Sequence, residues 1–161
     1  MPPQSGSDTT GAKVTVLGIG NLIMGDEGVG VHVVRRLEEM CRLSFIDYVD
    51  GGTGGFHLLG YFTDSDLVVI IDATMDGRIP GTVTQLHPEF SRDYPPTLVS
   101  HDIGLKDMLD AVHLLDQKPE MVLFTLTISD PTKVSMDLSP EIQRAVRPAA
   151  EKICAFLKTL E

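Results

Sequence analysis

Three side chains with the chemistry to bind a metal ion follow glycine-rich or apolar stretches of this chain. Glu27 lies near the end of LGIGNLIMGDEG, Asp72 ends the apolar run DLVVIID, and His101 lies in VSHDIGL. Together they would supply one imidazole nitrogen and two carboxylates, and would leave coordination positions open for water or a substrate ligand. Imidazole suits nickel, zinc, copper and iron, while carboxylates accept most divalent ions. The sequence therefore contains the ligands for a divalent-metal site, although their spacing forms no local signature.

The glycine-rich stretch at 17–30 matches phosphate-binding patterns only in part. The dinucleotide pattern GxGxxG would need glycine at Ile23, and the P-loop pattern would need lysine and a hydroxyl residue at Asp26 and Glu27. Two carboxylates at this place would repel a polyphosphate, which argues against a nucleotide-binding module. Two interpretations stay open. The acids either stabilise the positive N-terminus of the following helix or belong to a cation site.

Each candidate ligand also has a structural alternative. Asp72 is either a ligand or an acid that caps a turn after its strand. His101 is either a ligand in an approach loop or a structural histidine, and Asp50, ahead of Gly-Gly-Thr, either lines the cleft or shapes a turn. Two carboxylates that face each other across a crevice are costly without a cation, which favours a binding site. The remaining histidines are interpreted as packing or surface residues: His32, His57, His87 and His113.

The elements that must position these residues alternate between strand and helix. Apolar runs predict five strands, over 13–20, 44–50, 66–72, 82–87 and 121–128. Helical spacing of apolar residues predicts helices between them, and a long last helix that is kinked or broken at Pro148. We expect residues 1–12 to form a flexible N-terminal tail. Residues 13–161 are predicted to form a single α/β domain, with a twisted, mostly parallel sheet of about five strands flanked by helices on both faces.

Charge and cysteine content restrict the partners and the compartment. The formal net charge is −10, from 13 basic and 23 acidic residues. This balance repels phosphate backbones and anionic bilayers, so neither nucleic acid nor membrane insertion is expected. No apolar run reaches the roughly 18–20 residues that a membrane helix needs. Cys41 and Cys154 are predicted to be buried free cysteines in helical stretches, which indicates a reducing cytoplasm.

Four motifs, in order along the chain, resemble those of the hydrogenase maturation proteases. The first is GxGN followed by an Asp-Glu pair and a glycine, and the second is VDGGTGG. The third is VVIIDAT with a later Pro-Gly pair, and the fourth is the histidine loop SHDIGL. The resemblance runs from about Lys13 to Leu160. It implies a twisted sheet flanked by helices, and it assigns metal binding to Glu27, Asp72 and His101.

The resemblance also implies a function. Such proteases are cytoplasmic endopeptidases, here expected to be of the aspartyl type, that remove a C-terminal tail from the precursor of a NiFe hydrogenase large subunit after nickel insertion. The nickel is carried by the substrate and sensed through the three ligands. The chain shows no Ser-His-Asp or Cys-His order that would supply a covalent nucleophile, so attack by water, assisted by Asp50, is expected. The alternative is a non-enzymatic nickel-sensing or nickel-delivery chaperone that uses the same ligands.

Overall fold

The computed structural model describes residues 11–102, 104–129 and 133–161, without the side chains of residues 101 and 102. Its five strands are β1 Val14–Gly18, β2 Ile46–Asp50, β3 Leu67–Thr74, β4 Val83–Leu86 and β5 Glu120–Thr127. Its α-helices are α1 Val29–Met40, α2 Leu59–Asp64, α3 Leu105–His113 and α4 Pro140–Lys158. Short 3-10 turns cover Gly25–Gly28, Phe56–Leu58, Ser91–Asp93 and Val99–Asp102. Residues 1–10 of the predicted tail lie outside the described residues.

The five strands form one sheet in the order β2-β1-β3-β5-β4, which confirms the predicted mostly parallel α/β fold. Every neighbouring pair is parallel except β4 and β5. The most apolar run becomes the central strand β3, in which all eight residues are buried. After β1 the chain moves outwards to β2 and then returns to β3 on the other side of β1. This reversal creates a crevice outside the carboxyl ends of β1 and β3, where ligands bind in sheets of this kind.

Helices cover both faces of the sheet, as predicted. One core lies under α1 and α4, and the other lies under the segment 56–64 and α3. Successive residues of β3 alternate between the two cores, so Asp72 points to the same side as Val68 and Ile70, towards α3. Among the described residues, no helix combines the length and the apolar character required to cross a bilayer.

Pro148 does not break the last helix, which rules out one of the two outcomes predicted for it. The assigned helix α4 runs from Pro140 to Lys158 and includes Pro148. Pro148 and Arg144 are both exposed residues, so the hydrogen bond that the proline removes is lost on the solvent side of the helix rather than in the core. The opposite face of α4 packs against α1 and the sheet through a buried stripe that includes Ile142, Val146, Ala149 and Ile153. Tertiary packing therefore outweighs the local cost of the proline.

Cys41 and Cys154 are joined by a disulfide bond, so the prediction of two free cysteines is wrong. Cys41 directly follows α1, Cys154 lies on α4, and these two helices pack side by side. Both cysteines are buried, as predicted. The bond spans 113 sequence positions, a separation that leaves no local pattern to read. The reducing compartment was inferred from two free cysteines, so the disulfide bond removes that argument.

Candidate functional site

Two glycines of the opening motif bring Glu27 against the sheet. A Cβ atom at Gly30 would lie 2.4 Å from the carbonyl oxygen of Ile71 in β3. A Cβ atom at Gly20 would lie 2.4 Å from the carbonyl oxygen of Glu27. Both distances are far inside van der Waals contact, so a larger residue would push the turn that carries Glu27 away from β1 and β3. The glycines therefore permit a close approach of backbone to backbone, which places Glu27 at the carboxyl edge of the sheet.

The adjacent acids Asp26 and Glu27 have different surroundings. The Asp26 carboxylate accepts hydrogen bonds from the backbone N–H of Ser139 at 2.7 Å and from its hydroxyl at 2.8 Å. Ser139 is the N-cap of α4, so Asp26 ties the turn before α1 to the start of α4. Glu27 is half-buried, and this burial raises the pKa of its carboxyl group. Asp26 therefore has a structural role. Burial has removed part of the hydration of Glu27, and a bound cation would compensate for that loss.

Asp72 is a fully buried carboxyl group with one unpaired oxygen. It lies inside β3, which continues two residues further, to Thr74, than the predicted strand end. Its Oδ1 accepts hydrogen bonds from the backbone N–H of Ala73 at 2.8 Å and from the Ser100 hydroxyl at 2.9 Å. Its Oδ2 has no hydrogen-bond partner among the described residues. Burial raises the pKa of Asp72 to about 7, and the charge of nearby Glu27 adds to this rise.

His101 lies on the Val99–Asp102 turn directly before α3, but its side chain lies outside the described part of the chain. The segment that leads to this turn is held against the end of β3. The Thr74 hydroxyl donates to the Thr97 hydroxyl at 2.8 Å, and Thr74 forms a backbone bridge with Leu98. The backbone therefore brings the predicted histidine to the carboxyl edge, and its role as a ligand stays a prediction.

Asp50 ends β2, and both of its carboxylate oxygens have partners. Oδ1 accepts a hydrogen bond from the backbone N–H of Gly52 at 2.9 Å, and Oδ2 lies 3.0 Å from the Arg35 guanidinium. These contacts shape the turn after β2, which is the structural alternative that the sequence left open. The assisting role of Asp50 in catalysis stays a prediction.

The arrangement at the carboxyl edge favours a divalent cation over an anion. Glu27 and Asp72 lie close enough for the charge of one to raise the pKa of the other. Across the side chains that the structure describes, which exclude that of His101, no three His, Cys, Asp or Glu residues are grouped to hold an ion. Two carboxylates with an unpaired buried oxygen form a site whose charge a cation would balance, and the open positions would suit an ion that another molecule also binds.

Sequence reasoning missed two contacts that organise this edge, the hydrogen bond from Ser100 to Asp72 and the hydrogen bonds from Ser139 to Asp26. The sequence offered one indication of the first contact, because Ser100 directly precedes the predicted ligand His101. The contact of Asp26 with Ser139 joins residues 113 positions apart and leaves no such signal.

Comparison with known proteins identifies the family. The model of the hydrogenase maturation protease family matches residues 31–156, which include Asp72 and His101 and begin after Glu27. The Hydrogenase 2 maturation protease of Escherichia coli (strain K12) is 31% identical over 153 residues, which cover 91% of each chain. The hydrogenase expression/formation protein HupD of Thiocapsa roseopersicina is 30% identical over 151 residues, or 90% of this chain and 67% of that protein.

Solved structures share the same fold. The hydrogenase maturating endopeptidase HybD from Escherichia coli superposes with a TM-score of 0.79 at 30% identity, covering 91% of this chain and 93% of that one. The NiFe hydrogenase maturation protease HybD from Thermococcus kodakarensis gives a TM-score of 0.72 at 26% identity, covering 88% and 96% of the two chains. The chain therefore belongs to the hydrogenase maturation protease family and is an enzyme that cleaves peptide bonds.

Proposed function

We propose that this chain removes the C-terminal tail from the precursor of a NiFe hydrogenase large subunit after nickel has been inserted. Family membership supports the reaction class and the kind of substrate. The single observation that carries the nickel-recognition part is the buried Oδ2 atom of Asp72, which has no hydrogen-bond partner among the described residues. A second carboxylate, Glu27, lies beside it.

Glu27, Asp72 and His101 are the proposed contacts to the substrate-borne nickel. An ion already held by the precursor keeps coordination positions for a second set of ligands, and carboxylate and imidazole are compatible with nickel. When the precursor is empty, the desolvation and mutual repulsion of the two carboxylates stay uncompensated, so the empty precursor binds less well. The enzyme would therefore cut only after metal insertion.

The proposed cleavage is hydrolysis by water rather than through a covalent intermediate. Nickel bound by both molecules would position the tail and polarise the scissile carbonyl group. Of the two alternatives for Asp50, its contacts with Gly52 and Arg35 support the turn-shaping one. The aspartyl-type class and the location in the cytoplasm are both taken from the family resemblance.

The test is cleavage of the purified precursor with and without nickel, followed by intact-mass spectrometry. We expect a discrete loss of the C-terminal tail from the nickel-loaded precursor and no loss from the empty one. Equal cleavage of both forms would overturn nickel recognition. An intact precursor that has gained or lost nickel would instead support the chaperone.

Substitutions test the assignment of the three ligands. Glu27→Gln, Asp72→Asn and His101→Ala are each expected to abolish cleavage while leaving the far-UV circular dichroism spectrum unchanged. Glu38→Gln, an exposed position on α1, is the matched control for Glu27→Gln and should cleave at the wild-type rate. Wild-type cleavage by any of the three variants would remove that residue from the site.

A further inference from the structure

We propose that Ser100 is a positioning residue, which holds the Asp72 carboxylate so that one oxygen is left for the ion. The proposal rests on the proposed function, because it takes Asp72 to be a contact of the substrate-borne nickel. Ser100 itself would touch neither the ion nor the scissile bond. It would act through the hydrogen bond that it donates to Asp72.

The two oxygens of Asp72 differ because the two hydrogen bonds that the carboxylate accepts both go to Oδ1, while the backbone N–H of Ser100 lies near the carboxylate without forming a third. The Ser100 hydroxyl lies 2.9 Å from Oδ1 and the backbone nitrogen of Ala73 lies 2.8 Å from it. Oδ2 is equally buried and has no partner among the described residues. A partial rotation of the carboxylate about its Cβ–Cγ bond would break both hydrogen bonds, so the two donors hold the orientation of the group and leave its second oxygen unpaired. An ion then meets a ligand that is already oriented.

The position of the Ser100 hydroxyl is set by the central strand itself. The backbone N–H of Met75 donates to the Thr97 carbonyl at 3.0 Å, next to the bonded pair of threonine hydroxyls at the end of β3. Leu98 and Ser100 are 3% and 1% exposed, so this segment is packed into the protein. Ser100 directly precedes His101, so the packed segment leads into a second proposed ligand.

A purely structural role for Ser100 makes a different prediction. A buried hydroxyl pair at the other end of the sheet, Thr15 with Ser65 at 2.7 Å, provides the comparison. If Ser100 only satisfies a buried polar group, Ser100→Ala should cost stability as Ser65→Ala does and leave ion binding alone. If Ser100 orients Asp72, Ser100→Ala should weaken ion binding while Ser65→Ala does not.

The experiment is a calorimetric titration of the full chain with nickel(II) alone. It is run on the wild type, Ser100→Ala, Ser100→Thr and Ser65→Ala, with the melting temperature of each recorded. We expect Ser100→Ala to weaken nickel binding about tenfold or more, the usual effect of losing a group that orients a metal ligand. Ser100→Thr keeps the hydroxyl and should recover most of that loss. Ser65→Ala should lower the melting temperature and bind nickel as the wild type does.

Three results would overturn the proposal. They are equal nickel affinity in Ser100→Ala and Ser65→Ala, equal weakening in Ser100→Ala and Ser100→Thr, and no measurable nickel binding by the wild type. The proposed function is judged separately, by nickel-dependent cleavage of the precursor in the wild type. If cleavage depends on nickel and Asp72 while Ser100→Ala binds nickel normally, the inference about Ser100 fails and the proposed function stands.

Discussion

The two ends of the central sheet differ in how they satisfy buried and strand-end polar groups. At the amino end, the Asp66 carboxylate accepts a hydrogen bond from the Lys13 backbone at 2.7 Å, and the hydroxyls of Thr15 and Ser65 pair with each other. At the carboxyl end, Asp72 keeps one buried oxygen without a hydrogen-bond partner among the described residues. Buried polar groups are normally paired. Among the described side chains, Nε2 of His32 on α1 and Oδ2 of Asp72 have no partner, and the Asp72 atom is the one that lies beside a second carboxylate, that of Glu27.

Cavities also occur at the opposite end of the molecule. A cavity of 380 Å³ lies beside the start of β5, and His87, His113 and Lys118 contribute to its lining. The three basic side chains that line it already have partners, including the contact of His87 with Gln85 at 3.2 Å. The His113 ring lies 3.3 Å from the Tyr94 hydroxyl, and Lys118 donates to the Glu89 carbonyl at 2.8 Å. The candidate site therefore rests on the unpaired oxygen of Asp72 rather than on a cavity.

The largest effect that we expect separates two aspartates on opposite ends of the same sheet. Asp72→Asn should reduce cleavage of the nickel-loaded precursor by at least about a hundredfold. Loss of a group that orients a metal ligand can already reduce metal affinity or activity by up to about a hundredfold, and loss of the ligand itself should reduce them at least as much. Asp66→Asn should leave the cleavage rate close to that of the wild type. Rates come from densitometry of tail removal over time. An equal loss of cleavage in Asp72→Asn and Asp66→Asn would contradict the proposed functional difference between the two ends of the sheet.

Breaking the disulfide should affect the fold and not the site. Cys41→Ser should lower the free energy of unfolding by about 2–4 kcal/mol, because the bond closes a long loop. Cys154→Ser should give the same loss, and the double variant should lose no more, since one bond is removed in each case. Urea unfolding measures the loss, and nickel titration should show unchanged affinity. Additive losses in the double variant would contradict the pairing.

The pH dependence of stability should report the buried carboxyl group. Burial raises the pKa of Asp72 to about 7, whereas an unfolded aspartate titrates near about 3.9. Between these values the native state keeps a proton that the unfolded state has lost. The stability of the metal-free protein should therefore fall as pH rises from about 4 to about 7, by at most about 1.4 kcal/mol per pH unit, and then level off.

Thermal unfolding in steps of pH, for the wild type and Asp72→Asn, measures this decline. The variant carries no titratable group at this position, so its stability should change less over the same range. An equally steep decline in the variant would assign the effect to other groups.

The smallest effect concerns Asp50. Its ion pair with Arg35 is exposed, with 40% and 54% of the two side chains accessible to solvent. Asp50→Asn should therefore cost no more than about 1 kcal/mol of stability and should leave cleavage nearly unchanged. Arg35→Gln is the matched control, because it removes the same pair from the other side. A large loss of cleavage in Asp50→Asn alone would restore the assisting role of this residue.

Local patterns predicted the elements, and long-range contacts determined the details of the site. The unbroken apolar run before Asp72 and the alternating run at 82–87 were sufficient to predict two strands, which the fold places at the centre and at the edge of the sheet. The partners of Asp26 and Cys41 lie 113 positions further along the chain, where no spacing rule reaches them. The order of four motifs, rather than the spacing of three ligands, indicated the family.

The helix pair α1 and α4 is joined at both ends by contacts with the same sequence offset. Asp26 meets Ser139 and Cys41 meets Cys154, each across 113 positions. The two helices therefore run in the same direction and stay in register between the two contacts. Deleting one residue from α1 would rotate one contact by about 100° and shift it by about 1.5 Å relative to the other. The lengths of α1 and α4 are thus coupled, so an insertion or deletion in one would require a compensating change in the other during evolution.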